Sequence, residues 1–152
     1  MAIAVVLETR IGRPIDEVYR HLVELDRWPE WLTATGIRRI ERGHPGAAQP
    51  GEAMRIEQAA AGRTGTFEAR VTRVDPPTHL SISGKDDEGV SIDIDAQLAP
   101  VDEHVTILRW EVRIGLPFRF RIFESMARPQ VERAVALDVE AFKRRLESVA
   151  GD

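Results

Sequence analysis

Between Ile37 and Leu116 the chain alternates apolar and polar residues in six successive runs, each bounded by glycine, proline or a charged turn. No other feature limits the possible folds so sharply. The runs are Ile37 to Glu41, Ala53 to Ala59, Thr64 to Val74, His79 to Ser83, Val90 to Leu98 and Val105 to Ile114. A period of two places side chains on opposite faces of a strand, so each run has one dry face and one wet face. In Val90 to Leu98, Ile92, Ile94, Ala96 and Leu98 point one way, and Ser91, Asp93, Asp95 and Gln97 the other. Met54, Ile56 and Gln58 form a similar inward row, as do Phe67, Ala69 and Val71, and Leu108, Trp110, Val112 and Ile114. Short connections, among them Ala61-Gly62-Arg63, Lys85 to Gly89 and Pro100 to Glu103, predict hairpins and therefore an antiparallel meander. The longest loop, Gly43 to Gly51 with its two prolines, is expected to be mobile.

Helical spacing brackets the alternating region. Ile3 to Ile11 reads as a first strand, after which Pro14, Asp16 and Glu17 suit the first turn of a helix, with proline pre-set for it and carboxylates facing its positive end. Ile15, Val18, Tyr19, Leu22 and Val23 supply that helix with one buried stripe. Trp28-Pro29-Glu30-Trp31 predicts a second, tight helical turn anchored by aromatic packing. At the other end Val131, Val135, Asp138, Phe142, Leu146 and Val149 lie near one face of what should be the longest element. Pro129 lies within this pattern, so Phe118 to Arg128 is expected to form the first half of a kinked helix, the alternative being a separate helix. Phe118-Arg119-Phe120-Arg121-Ile122-Phe123 should start that helix with phenylalanines buried and arginines solvated; the alternative is a contact with anionic headgroups at a cavity mouth.

Such a chain should form one α+β domain over residues 1–150, seven antiparallel strands curving around a long C-terminal helix, with two short helices after strand 1. With 152 residues it can bury roughly two thirds of its unfolded surface without disulfides or metals, and it has no cysteine. The apolar run after Met1 ends at Glu8, too short for a secretory or spanning segment, so the cytoplasm and no stable membrane insertion are expected. Its 25 acidic and 21 basic residues are intermixed, leaving a net charge of −4 and no basic field to hold nucleic acid. His21, His44, His79 and His104 show no metal-ligand spacing, and no nucleophile elbow, phosphate loop or dinucleotide fingerprint occurs, so neither cofactor nor metal is expected. Oligomeric state is open.

Four stretches, Pro14 to Tyr19, Leu22 through Trp31, Val71-Thr72-Arg73-Val74-Asp75-Pro76-Pro77 and Val139 to Glu147, resemble the START-like superfamily of helix-grip proteins, which includes polyketide cyclases and birch-allergen-like proteins. The resemblance spans nearly the whole chain and implies an apolar tunnel between the concave sheet and the last helix, binding a small hydrophobic, lipid- or polyketide-like ligand. The ligand-binding set it suggests is Trp28, Met54, Ile56, Phe67, Val71, Arg73, Ile92, Ile94, Leu108, Trp110, Met126 and Asp138. Trp28 and Trp31 either gate the tunnel or plug the core, packing being the preferred reading. Arg73 continues the row of Phe67, Ala69 and Val71, and Asp138 interrupts an apolar stripe, at positions where similar aromatic polyketide cyclases carry a cavity-facing arginine and asparagine. One reading has both polar groups face the tunnel as a pair able to polarise a carbonyl or hold an enolate. The other, favoured, leaves Arg73 solvated at a strand end and Asp138 on a surface arginine. Thr35 and Val71 stand where those cyclases carry tyrosine and serine, which weakens the alternative of a cyclase or dehydratase activity. A packed interaction domain without a cavity is the third possibility.

Overall fold

The computed structural model describes residues 2–60 and 63–148. Seven antiparallel strands, β1 (Ala2–Ile11), β2 (Ile37–Arg42), β3 (Ala53–Ala60), β4 (Arg63–Asp75), β5 (His79–Lys85), β6 (Ser91–Pro100) and β7 (Thr106–Gly115), form one sheet ordered β1-β7-β6-β5-β4-β3-β2. The meander expected from the short connections runs from β2 to β7, and β1 closes the other edge by pairing with β7 along its whole length. The hairpin tip at Ala61-Gly62 and the last stripe residue, Val149, lie outside the described residues. Helices α1 (Ile15–Leu22) and α2 (Trp28–Trp31) follow β1, and α3 (Glu124–Ser148) fills the concave side as the grip.

The alternation read from the sequence matches burial closely. Ile92, Ile94, Ala96 and Leu98 of β6 are buried, as are Phe67, Ala69 and Val71 of β4 and Leu108, Trp110 and Val112 of β7. On α1, Val18, Tyr19 and Leu22 are buried, and on α3 Val135, Asp138, Val139, Phe142 and Leu146. The C-terminal half of α3 is stitched to the start of the chain by hydrogen bonds at its far end. The Gly12 N–H donates to Glu147 Oε2 at 2.8 Å, Arg13 Nε to the Leu146 carbonyl at 3.0 Å and Lys143 Nζ to the Arg10 carbonyl at 2.8 Å.

Two β-bulges alter the pattern. In β2 the register shifts between Ile37 and Arg39, which lets Ile37 and Ile40, three residues apart, both face inward. In β4 the pairing passes from Val71–Ile82 to Arg73–Ser81, so Thr72 is an extra residue and the alternation restarts on the opposite phase.

Three expectations change. The loop after β2 is pinned, because Arg42 reaches back into it. Its Nε and Nη2 donate to Glu52 at 2.5 and 3.0 Å, and its Nη1 and Nη2 to the Gly46 and Ala47 carbonyls, with the Arg42 and Glu52 side chains only 2% and 3% exposed. The Ala48 N–H also donates to the Val23 carbonyl. The join before α3 falls at Phe123 and Glu124, where a 3-10 stretch (Phe118–Phe123) ends, and α3 runs on through Pro129. The phenylalanines of that stretch are not buried as a group, for Phe118 is 83% exposed and Phe123 51%, while Phe120 is partly buried beneath Arg119. Six residues in the tighter 3-10 geometry present no continuous apolar face to the sheet.

Candidate functional site

The space between sheet and α3 is divided in two. Towards the C-terminal half of α3 it is filled by aromatic rings. Trp28, Trp31 and Trp110 meet edge to face at centroid distances of 5.4 to 5.8 Å, and Phe142 lies 4.5 Å from Trp31. The Trp28 indole N–H is spent on the Leu22 carbonyl at 2.8 Å. Trp28 therefore packs, as the sequence reading preferred.

Towards the N-terminal half of α3 the space stays open as a cavity of about 470 Å³. Its wall is built from Ile92 and Ile94 of β6, Trp110, Val112 and Ile114 of β7, Gln58 to Ala60 of β3, the segment from Leu32 to Ile37, and Ala127 to Val135 on one side of α3. The opening exists because Ala34, Ala59, Ala60, Ala127 and Ala134 stand where larger side chains would close it. None of the described lining residues is charged, and its polar side chains are Thr35, Gln58 and Gln130. A wall of this kind, within the ordinary size range of ligand pockets, favours an apolar guest held by few polar contacts.

Of the twelve residues singled out from the sequence, Ile92, Ile94 and Trp110 line the cavity. Met54, Ile56, Phe67, Val71 and Leu108 are buried on the same concave side but pack against neighbours. Met126 is 70% exposed, one residue off the inward face of α3, so it does not project into the cavity. Arg73 is displaced outward by the Thr72 bulge. Its side chain is 52% exposed and its Nε bonds Asp75 at 2.5 Å, which removes it from the interior row and from any pairing with Asp138.

Asp138 follows neither expectation. It is 1% exposed, and instead of meeting an arginine it caps the turn after α2. The Ala34 N–H donates to Oδ1 at 2.8 Å, and the Thr35 N–H and hydroxyl donate to Oδ2 at 3.1 and 2.5 Å. Burial pushes its pKa above the ordinary carboxylate value, against the bonds from Thr35 and Ala34 that favour the charged form. Turn and strand are then linked. Gln58 Nε2 donates to the Thr35 carbonyl at 2.7 Å, and the Ala59 N–H to the Gly36 carbonyl at 2.8 Å. Gly36 has φ 82°, and a Cβ there would collide with the Ala59 carbonyl. A chain of hydrogen bonds thus runs from α3 through the 34–36 turn to β3, bordering the cavity. Gln58 had been placed in an inward row but not recognised as a site residue; the signal was one carboxamide in an otherwise apolar row.

Comparison with known proteins agrees with this architecture. A family model described as polyketide cyclase / dehydrase and lipid transport matches residues 2–147. The Zhui aromatase/cyclase from a Streptomyces species superposes with a TM-score of 0.78 at 16% identity, covering 97% of this chain and 94% of that one. A START superfamily protein from Mycobacterium smegmatis gives 0.71 at 12% identity over 96% and 98% of the two chains. In sequence, a Mycobacterium tuberculosis protein named Toxin Rv0910 is 26% identical over 104 residues, 68% of this chain and 70% of that protein. No described helix is long and apolar enough to cross a membrane.

Proposed function

Because the chain belongs to the polyketide cyclase/dehydrase and lipid transport family, we propose that it binds a small hydrophobic ligand in the cavity between the sheet and the N-terminal half of α3. The observation that carries this reading is an alanine-edged space of about 470 Å³ with no charged side chain among its described lining residues. Apolar burial at about 25 cal/mol per Å² supplies the affinity. The same volume argues against a fully packed interaction domain. Binding is favoured over cyclase-type chemistry because Arg73 stands outside the interior and both Asp138 oxygens are taken by the 34–35 turn. No titratable side chain among the described residues lines the cavity to move a proton there.

The test is a fluorescence titration with N-phenyl-1-naphthylamine, a neutral probe that brightens in apolar surroundings. Saturation at one equivalent is expected, with quenching of the Trp110 emission. Ala134→Trp, which puts an indole into the cavity, should abolish probe binding while the far-ultraviolet circular dichroism stays as in wild type. Equal binding by Ala134→Trp would show that the probe sits elsewhere and would refute the assignment.

A further inference from the structure

The polar end of the cavity has a definite electrical sign. Asp138 lies directly behind Thr35, a lining residue, and its Oδ2 accepts the Thr35 hydroxyl at 2.5 Å. No Lys, Arg or His among the described residues forms an ion pair with this carboxylate, although it is 1% exposed. Its satisfaction comes from three donors alone, the Ala34 and Thr35 N–H groups and the Thr35 hydroxyl. At the low effective dielectric of a buried site such a charge is felt across one side-chain layer. In its ionised form this carboxylate lends the cavity wall beside it a negative potential.

Gln58 lines the cavity beside Thr35 and also borders a smaller surface hollow with Arg38 and Glu57. Its Nε2 is held by the Thr35 carbonyl at 2.7 Å, which fixes the carboxamide and leaves Oε1 as an acceptor to which no described residue donates. This oxygen is not sealed off either: among the described residues the buried side-chain atoms without a partner are Arg13 Nη2 and Glu124 Oε1. An open acceptor beside a carboxylate that no cation among the described residues offsets calls for a donor from the ligand.

We infer that the cavity selects a neutral amphiphile bearing a terminal hydroxyl, which donates to Gln58 Oε1 while the apolar body lies against Ile92, Ile94, Trp110 and Val135. An anionic headgroup is excluded on two counts. A carboxylate offers acceptors where an acceptor already stands, and it would approach Asp138 with no cation in the wall to offset the repulsion. Asp138 is the positioning residue, since it holds the turn whose Thr35 carbonyl orients Gln58.

This inference rests on the binding proposed above, and the experiment separates the two. N-phenyl-1-naphthylamine is displaced at pH 8 by decan-1-ol, by 1-methoxydecane and by decanoate, ligands alike in tail but different in headgroup. Decanol should bind roughly 5- to 10-fold more tightly than the ether, the worth of one donated hydrogen bond. It should exceed decanoate by about 10-fold or more, the penalty of an unpaired charge in an apolar site. Gln58→Leu should bring alcohol and ether level. Asp138→Asn should narrow the gap between alcohol and decanoate while the ether keeps its affinity, a change that mere loosening of the fold would not produce. Failure of the naphthylamine to bind at all would overturn the cavity assignment itself. Decanoate competing as well as decanol in wild type, or an alcohol preference surviving in Gln58→Leu, would overturn the hydroxyl selection and leave the cavity assignment standing.

Discussion

Replacing Asp138 by alanine removes the acceptor for three donors at once, the Ala34 and Thr35 N–H groups and the Thr35 hydroxyl. An unsatisfied buried donor costs on the order of 1–3 kcal/mol. The lower end applies here, because the turn borders an open cavity and Ala34 is itself exposed, so water can reach some of the released groups. Loss of the carboxylate also relieves its own desolvation. A net destabilisation of about 2–3 kcal/mol is expected, a fall in Tm of roughly 5–10 °C for a chain of this size. Urea denaturation followed by circular dichroism measures it, with an unchanged m-value showing that the unfolded reference has not moved. The pH dependence carries a separate sign. The folded pKa of Asp138 is raised, so the native state holds its proton more tightly than the unfolded chain. Stability from this group is fully present below the ordinary carboxylate pKa and is lost as pH rises through the folded value. Wild type should therefore lose stability relative to Asp138→Asn on going from acid to neutral pH. An Asp138→Ala variant within about 0.5 kcal/mol of wild type would show that the turn does not depend on this cap.

Three other perturbations follow from the same geometry. Glu52→Ala leaves the buried Arg42 with Asp26 and two carbonyls and should cost about 3 kcal/mol by urea denaturation. Burial alone would raise the Glu52 pKa, but the Arg42 hydrogen bonds hold it below the ordinary value, so this stabilisation exists at neutral pH and disappears as pH falls through the folded pKa, which an acid titration of the variant against wild type should show. Arg73→Ala, at an exposed pair with Asp75, should change stability by less than about 1 kcal/mol and leave N-phenyl-1-naphthylamine affinity as in wild type. Gly36→Ala must accept both a left-handed backbone and a clash with the Ala59 carbonyl, and a loss of at least about 1–2 kcal/mol in thermal unfolding is expected.

The parts of the fold that were legible in the sequence are those governed by a period. Ile92 to Leu98 declare their inward face by alternation, and Val135, Phe142 and Leu146 by helical spacing, because burial repeats with the backbone. The favoured reading of Arg73 as a solvated strand-end residue holds, but the reason was not legible because a bulge carries no period: Thr72 is an ordinary strand residue, and nothing around it reveals that two residues oppose one. Asp138 could be recognised as anomalous but not explained, since its partners are backbone N–H groups 103 and 104 positions away and every residue but proline supplies one. The cavity was expected from the resemblance, but its position was not legible, for a related reason. Ala59, Ala127 and Ala134 read as neutral filler in strand and helix, and only their convergence in space turns missing volume into a pocket. The anchoring of the loop after β2 was not legible because the decisive partners, Arg42 and Glu52, lie at its two ends rather than within it.

Thr72 decides on which side of the wall a guanidinium stands. Were Thr72 paired as an ordinary strand residue opposite Ser81, Arg73 would fall opposite the buried Leu80 and drive a cation into the apolar interior. The chain thus carries the sequence of a charged interior while keeping that interior neutral, and a frame of a single residue separates the two.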